Sequence, residues 1–369
     1  MKLFTTLRFL SLFSFLLFLV AGIAAQTATP TPRIAEEEQV IKVDSRLVVV
    51  PVSVTNTAGE PVLGLSIKDF TISEENRPQT IDSVGNAENV PLEIAILFDI
   101  SASTGPMFKF QQETAAKFLR EVMRAEDRAT IFSVGIKPVL IQARDTADVS
   151  ATGIRAITPT RQQTAFFDSV RTAAEYLNRN SPQGRRKVIV VISDGEDTNS
   201  EGVVRAIGQA EMKIAENVQG EELRNLRVKA RDTAKAQEQV KVLKALQDAD
   251  AVFYSINPGG SSLQLNRAAQ FGQENLQKFA DDTGGTAYLP KFLPIDTADQ
   301  HQNSSNTRKN TVVLETIFRQ LANELRAQYL IQYYSESDFP TSKFVKLSVN
   351  LQNQPSHRVR ARQGYYVKN

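Results

Sequence analysis

A nearly unbroken apolar segment, residues 92–98, constrains the fold of this chain more than any other feature. It reads Leu-Glu-Ile-Ala-Ile-Leu-Phe and is followed at once by Asp99. A strand of this texture has both faces buried, which is typical of the interior of a parallel sheet. Further strands, each separated from the next by helical or loop sequence, are predicted at residues 129–134, 139–141, 187–193 and 251–256. Because helices alternate with most of these strands, we predict an α/β fold with a doubly wound, mainly parallel sheet flanked by helices.

Both flanks of this region have β texture. In residues 39–90, valines alternate with other residues from position 48 to 54, and in residues 328–369 apolar residues alternate from 345 to 351. A terminal strand that is too short to fold alone is expected to pair with the N-terminal strands. We therefore predict that the α/β domain, residues 91–327, is inserted in a small discontinuous β-sandwich.

Composition excludes several classes of function. Lysine and arginine number 43 and aspartate and glutamate 41, and the two counts are equal at 41 without Lys2 and Arg8. Such a balance does not indicate the concentrated basic surface that nucleic acid requires. The absence of cysteine excludes thiolate catalysis, disulfide bonds and a cysteine-linked lipid anchor. Only two histidines, His301 and His357, are present for imidazole chemistry.

The N-terminal residues predict export. Residues 1–25 have the pattern of a secretory signal peptide, with Lys2 and Arg8 ahead of an apolar run and small residues near Ala25. Residues 26–38, rich in proline and threonine and then acidic, are predicted to be a linker. An uncleaved membrane anchor is the alternative, and we expect membrane attachment only in that case. Under either interpretation the rest of the chain is expected to be periplasmic, exposed on the cell surface or secreted.

Two segments depart from simple strand–helix alternation. Residues 201–250 are long for one crossover and are predicted to be a helical insertion, either a hairpin or one extended helix. Residues 294–310 are polar, with Gln-Asn-Ser-Ser-Asn at their centre, and are predicted to be a flexible loop.

Oxygen-bearing side chains follow several of the predicted strands. The sequence Asp99-Ile-Ser-Ala-Ser103 comes directly after the first central strand, Asp194 follows residues 187–193, and Thr164 stands at another crossover. Ligands of doubly wound sheets bind at this edge, where neighbouring connections diverge. Two carboxylates and three hydroxyls suit Mg²⁺ and leave a coordination position open for a carboxylate from elsewhere. The pentapeptide alone is compatible with an Asx turn that caps a helix, but the ordered combination favours a metal site.

This constellation resembles the metal-ion-dependent adhesion site of von Willebrand factor type A domains, and the resemblance extends over residues 91–327. It implies a Rossmann-like sheet with Mg²⁺, or alternatively Mn²⁺ or Ca²⁺, at its upper edge. It also implies direct ligation by three hydroxyls and direct or water-mediated ligation by two carboxylates; these residues are Ser101, Ser103, Thr164, Asp99 and Asp194. Family members commonly have two glycines before the threonine, where this chain has Gln162 and Gln163.

The wider arrangement is similar to the von Willebrand-related proteins of Acidobacteria, from the signal peptide to the ending Arg360-Ala-Arg-Gln-Gly-Tyr-Tyr366. From the metal site we predict a non-enzymatic adhesion module that binds an Asp or Glu side chain of a partner protein. An envelope scaffold with a vestigial or structural metal site is the alternative. A hydrolase is less favoured, because a nucleophilic Ser101 or Ser103 needs a nearby base, and both histidines lie outside the motif-bearing crossovers.

Two further charged groups admit two interpretations each. Glu196 and Asp197 are either solvated loop charges or part of the rim that selects the ligand. Arg358, Arg360 and Arg362 are expected to form the exposed face of an edge strand, where charge opposes edge-to-edge pairing. A role in contacting an anionic surface is the alternative for these arginines.

Overall fold

The computed structural model describes residues 46–101, 108–160, 162–213, 218–258, 267–295, 297–352 and 356–368. The strands are β1 (Arg46–Thr55), β2 (Phe70–Glu74), β3 (Arg77–Gln79), β4 (Ile81–Asn86), β5 (Leu92–Asp99), β6 (Arg128–Val134), β7 (Val139–Asp145), β8 (Arg186–Ile192), β9 (Ala251–Ile256), β10 (Ala287–Tyr288), β11 (Tyr329–Ser335), β12 (Phe344–Leu351), β13 (Arg358–Ala361) and β14 (Gly364–Tyr366). The α-helices are α1 (Phe108–Val122), α2 (Ala147–Arg155), α3 (Phe166–Asn180), α4 (Glu201–Lys213), α5 (Gly220–Asp248), α6 (Arg267–Thr283) and α7 (Gln300–Ala327).

Six strands form the central sheet in the order β10-β9-β8-β5-β6-β7. All neighbours run parallel except β7, which is antiparallel to β6. The chain leaves β5 toward β6 on one side and later returns to β8 on the other, so the connections diverge between β5 and β8. All eight residues of β5 are buried, as its apolar sequence predicts. The predicted doubly wound, mainly parallel sheet is thereby confirmed.

Apolar clusters cover both faces of this sheet. On one face Ile94, Ile96 and Phe98 pack with residues of α1 and α7, including Phe118 and Phe318. On the other face Ala95 and Leu97 pack with residues of α3, α5 and α6. Alternate residues of β5 thus contribute to opposite clusters, because side chains alternate along a strand.

The predicted discontinuous β-sandwich is also present. Its two four-stranded sheets have the orders β13-β1-β11-β4 and β14-β12-β2-β3, so each combines strands from before and after the α/β domain. Between the sheets lies an apolar cluster that includes Val50, Val52, Ile72, Ile331 and Val345. Neither flank could bury its apolar face alone, which explains why the two segments fold together.

A buried polar junction joins the sandwich to the α/β domain. Gln328, between α7 and β11, donates from Nε2 to Ser53 Oγ at 3.1 Å and to Tyr254 Oη at 3.0 Å. Its Oε1 accepts a hydrogen bond from Arg186. Burial lowers the pKa of Arg186 to about 10. The amide of Gln328 thereby connects β1 of the sandwich with β8 and β9 of the central sheet.

The expectation that Arg358, Arg360 and Arg362 all form the exposed face of an edge strand is wrong for Arg360 and Arg362. Arg360 pairs with Glu324 at 3.0 Å, and Arg362 pairs with Asp250 at 2.8 Å. Strand β13 is an edge strand of its sheet, as expected. However, the face that carries these two guanidinium groups is turned toward acidic side chains of the α/β domain, which the local sequence does not reveal.

Residues 201–250 form two helices, α4 and α5. The C-terminal half of α5 packs on the core through residues such as Val242 and Leu246. Its N-terminal half, up to residue 233, is exposed or half-buried throughout.

The flexible loop predicted at residues 294–310 is wrong, because α7 begins at Gln300. Asp299 caps the helix by accepting from the amides of His301 and Gln302 at 2.8 and 3.1 Å. Three asparagines on one side of the helix, Asn303, Asn306 and Asn310, then bond to the backbone of residues 293–297. The polar side chains that suggested a mobile loop instead form hydrogen bonds with backbone groups of the segment before the helix.

The predicted signal peptide and linker lie outside the described residues. Within the ranges given above, none of the helices combines the length and the apolar character needed to cross a membrane.

We expect Asn310→Ala to destabilise the protein by about 1–2 kcal/mol, because Asn310 is buried and bonds to both the amide and the carbonyl of Leu293, at 2.8 and 2.9 Å. Urea unfolding measures this loss. Asn178→Ala, at an exposed position of α3, is the matched control and should change the stability by less than about 0.5 kcal/mol. Equal effects of the two substitutions would show that the contacts to Leu293 do not stabilise the fold.

Candidate metal centre

The ends of two neighbouring strands bring the predicted carboxylates together. Asp99 is the last residue of β5, and the β5–β8 register pairs Phe98 with Ile192. Asp99 therefore lies next to Ser193, the residue before Asp194. This is the position where the connections of the sheet diverge, and open α/β sheets bind their ligands at such a position.

Asp99 is fully buried and held by two serines. Its Oδ1 accepts from the Ser101 amide at 2.9 Å, and the Ser101 hydroxyl also hydrogen bonds to the carboxylate. Its Oδ2 accepts from Ser193 Oγ at 2.6 Å. Ser193 Oγ accepts in turn from the Gly195 amide at 3.1 Å. The orientation of the carboxylate is thus fixed by residues of both strand ends.

The buried Asp99 carboxylate is electrostatically unfavourable. Burial and, to a smaller extent, the negative charge of Asp194 raise the pKa of Asp99 to about 6. Hydrogen bonds from Ser193 and Ser101 oppose these effects without cancelling them. Among the described residues, no basic side chain forms a salt bridge with either carboxylate. The pair therefore presents uncompensated negative charge.

Thr164 is connected to this pair through the loop that follows Asp194. Thr164 directly precedes the start of α3 and is buried. Its amide donates to Thr198 Oγ1 at 2.9 Å, and its carbonyl accepts from the amides of Thr198 and Asn199 at 2.9 and 3.0 Å. Within the described part of the chain, the Thr164 hydroxyl takes part in no hydrogen bond.

Of the five predicted ligands, the structure places Asp99, Ser101 and Asp194 at adjoining strand ends and ties Thr164 to the Asp194 loop. Ser103 lies outside the described residues. Gln162 and Gln163 stand where other members of the family commonly have two glycines. Their side chains are exposed, and the backbone of Thr164 still forms its hydrogen bonds with Thr198 and Asn199.

Sequence reasoning missed several residues that shape this region. Asp197 is not a solvated loop charge: it is fully buried, and it accepts from the amides of Phe167 and Ser200 at 3.0 and 3.2 Å. Ser200 Oγ accepts from the Asp168 amide at 3.1 Å. These contacts cap α3, whose own N-cap residue, Ala165, has no capping side chain. The spacing Asp197-x-x-Ser200 before α4 was the only local signal.

The donor set fits a divalent cation. Two carboxylates neutralise a double positive charge, and hydroxyl oxygens complete the hard ligand set that Mg²⁺ prefers. Across the described ranges, no group of three or more histidine and acidic side chains could hold a metal ion. A metal at this position would therefore depend on hydroxyls as well as on Asp99 and Asp194.

Among the described residues, no hydrogen bond or ion pair joins either histidine to Asp99, Ser101 or Asp194. His301 is exposed in the first turn of α7. His357 lines a cavity of about 790 Å³ whose walls come from the sandwich, β10 and α7. That cavity contains no residue of the loops after β5 or β8.

Part of the chain matches a known protein family. Residues 94–196 match the family model described as von Willebrand factor type A domain. No curated protein matches the sequence. The narrower resemblance to proteins of Acidobacteria is not confirmed by these comparisons.

Several solved structures are similar to this chain. A von Willebrand factor type A protein from Catenulispora acidiphila has 9% identity and a TM-score of 0.42, covering 82% of this chain and 75% of its own. BatB from Bacteroides thetaiotaomicron has 15% identity and a TM-score of 0.36, covering 60% and 98%. Proximal thread matrix protein 1 from the mussel byssus, with a zinc-occupied MIDAS motif, has 12% identity and a TM-score of 0.39, covering 69% and 50%.

We expect Asp99→Asn to stabilise the metal-free protein at pH 7.5 by about 1–3 kcal/mol, since each unit of pKa shift corresponds to about 1.4 kcal/mol. An asparagine can accept from the Ser101 amide and donate to Ser193 Oγ, but it carries no charge. Because the folded-state pKa of Asp99 is raised from 3.8 to about 6, the gain should grow as the pH rises through this interval and be absent below it. Urea unfolding in EDTA at several pH values measures the difference.

Asp148→Asn serves as the control, because the Asp148 side chain is 83% exposed. It should change stability by less than about 0.5 kcal/mol at every pH. A loss of stability on Asp99→Asn at pH 7.5 would contradict the inference that the buried charge is unfavourable.

Proposed function

Because residues 94–196 of this chain belong to a von Willebrand factor type A domain, we propose that the protein binds a partner protein through a divalent cation. The proposed cation is Mg²⁺, with Mn²⁺ or Ca²⁺ as alternatives. Its proposed ligands are Asp99, Ser101, Ser103, Thr164 and Asp194. The proposed site of action is outside the cytoplasm, on the basis of the signal peptide expected at residues 1–25.

One observation carries this proposal. Asp99 is fully buried beside the charge of Asp194, and no described basic side chain pairs with either carboxylate. A buried carboxylate that has no opposite charge beside it lowers the stability of the fold, even when it accepts hydrogen bonds. A bound cation would remove that cost, so the arrangement is better explained by metal binding than by a structural turn.

The ligand chemistry supports a carboxylate as the group that the metal would take from the partner. Two carboxylates balance a divalent cation, and the neutral hydroxyls add no further negative charge. The cation would therefore stay electrophilic toward an additional anionic oxygen. An Asp or Glu side chain supplies that oxygen in a protein partner.

An apolar surface near the site supports a protein as the partner. Ile136, Val139, Leu140 and Ile141, which lie in or just before edge strand β7, have exposed fractions of 48, 42, 45 and 39%. Asn199 Nδ2 donates to the Ile136 carbonyl at 2.8 Å, and the Asn199 amide donates to Thr164. Asn199 thus connects this apolar surface with Thr164, a proposed metal ligand. Contiguous exposed apolar residues often mark protein-binding surfaces.

We propose a binding role and no catalytic one. The Ser101 hydroxyl hydrogen bonds to Asp99, and no described hydrogen bond or ion pair joins either histidine to Asp99, Ser101 or Asp194. A carboxylate that already orients a metal ligand is poorly suited to act as a general base.

Calorimetric titration tests the metal site. We expect the wild-type chain to bind Mg²⁺ at pH 7.5 and Asp99→Ala to give no binding heat, because the substitution removes one of two charged ligands. Asp148→Ala should bind Mg²⁺ as the wild type does. The melting temperature of Asp99→Ala in EDTA reports whether the loss reflects unfolding. Titrations with Mn²⁺ and Ca²⁺ rank the cations.

Partner binding is tested by pull-down from envelope extract with immobilised wild type, Asp99→Ala and Asp148→Ala. Proteins retained in Mg²⁺ by wild type and Asp148→Ala, but lost with EDTA or Asp99→Ala, support the proposal. Absence of Mg²⁺ heat in the wild type would overturn it and favour the alternative, an envelope scaffold with a vestigial or structural metal site.

A further inference from the structure

Two loops that carry proposed metal ligands are fastened to each other by protein groups alone. The first loop, of which residues 160 and 162–165 are described, contains Thr164. The second, residues 193–200, begins with the strand end beside Asp99 and contains Asp194. When the loops that carry metal ligands are not ordered beforehand, part of the free energy of metal binding is spent on ordering them. In this chain the described contacts already do so.

The first loop is anchored at both ends. Thr160 donates to the Ile100 carbonyl through its amide at 2.7 Å and its Oγ1 at 3.2 Å. Ala165 donates from its amide to the Gly135 carbonyl at 2.7 Å. These bonds fix the loop to the ends of β5 and β6, but they do not fix Thr164 relative to Asp194.

Thr198 supplies that second constraint. Its Oγ1 accepts from the Thr164 amide at 2.9 Å, and its own amide donates to the Thr164 carbonyl at 2.9 Å. The amide of Asn199 donates to the same carbonyl at 3.0 Å. Every backbone hydrogen-bonding group of Thr164 is therefore used by the second loop, while its side-chain hydroxyl stays available.

Asp197 connects the second loop to the first turn of α3. Its carboxylate accepts from the amides of Phe167 and Ser200, and it is fully buried. The start of α3, which follows Thr164, is thus fixed to the same loop. Thr198 bonds to Thr164 itself, and Asp197 bonds to Phe167 in the first turn of α3.

We infer that Thr198 is a positioning residue for the metal site, which sets the Thr164 hydroxyl relative to Asp194 before any cation binds. This inference rests on the proposed function. Thr198 is exposed, and its described hydrogen bonds join it to the amide and the carbonyl of Thr164, so its effect passes through the backbone of Thr164. Residues that hold ligands in place in this way typically contribute about 10- to 100-fold to metal affinity.

The test compares Thr198→Val with Thr198→Ser. Valine keeps the shape of threonine but cannot accept from the Thr164 amide, whereas serine keeps the hydroxyl. We expect Thr198→Val to weaken Mg²⁺ binding by about 10-fold or more in calorimetric titration, and Thr198→Ser to stay within about twofold of wild type. Thr198→Ala is the second variant in case valine prevents folding, and it should resemble Thr198→Val.

Thr233→Val is the matched control, because among the described residues the Thr233 hydroxyl bonds only to the Lys229 carbonyl of its own helix, at 2.8 Å. It should leave the Mg²⁺ affinity unchanged. Amide hydrogen exchange in EDTA gives a readout that needs no metal: Thr198→Val should accelerate exchange at Thr164, and Thr198→Ser should not.

The outcomes separate the two levels of inference. If the wild type binds Mg²⁺ and the valine and alanine variants bind it equally well, the positioning role is wrong and the proposed function stands. If Thr198→Ser weakens Mg²⁺ binding as much as Thr198→Val does, the hydroxyl of Thr198 is not the group responsible, and the inference is overturned. If the wild type gives no Mg²⁺ heat, the proposed function itself fails.

Discussion

The parallel pairing of β5 with β8 is the constraint on which the rest of this molecule depends. These strands are neighbours in space but are separated in the chain by β6, β7 and three helices. Their register places Asp99 beside Ser193, and the connections that leave the two strand ends turn to opposite sides of the sheet. The resulting gap is where short polar side chains can converge without disturbing the apolar layers on either face.

Burial of Asp99 then creates a conflict between stability and chemistry. The carboxylate lies deep enough for its pKa to rise to about 6, although Ser101 and Ser193 donate hydrogen bonds to it. An amide residue, which carries no charge but can still hydrogen bond to Ser101 and Ser193, would suit the metal-free fold better at this position. Retaining a charge there is understandable if the folded state is completed by a cation, because proteins hold strained or destabilised groups mainly where function needs them.

The fold and the proposed ligands could be predicted from the sequence because they depend on local patterns. Buried strands have apolar runs, and residues such as Asp99 and Asp194 directly follow them. Contacts between distant segments leave no such pattern. Asp197 looked like a surface charge because its partner, the uncapped start of α3, lies 30 residues earlier. The asparagines of α7 looked like loop residues because their partners, the backbone groups of residues 293–297, precede the helix.

The same distinction applies to the junction between the two parts of the described chain. Arg360, in β13, and Arg362, just after it, alternate with small apolar residues as solvated residues would, but each pairs with a carboxylate of the α/β domain. Together with the buried amide of Gln328, these pairs resist rotation of the sandwich against the central sheet, because any rotation would leave buried polar groups unpaired. The proposed metal site therefore lies on a sheet that these hydrogen bonds and ion pairs connect to the sandwich. Differences in partner recognition are then expected to arise in the loops after β5, β6 and β8, because these loops carry or adjoin the proposed metal ligands.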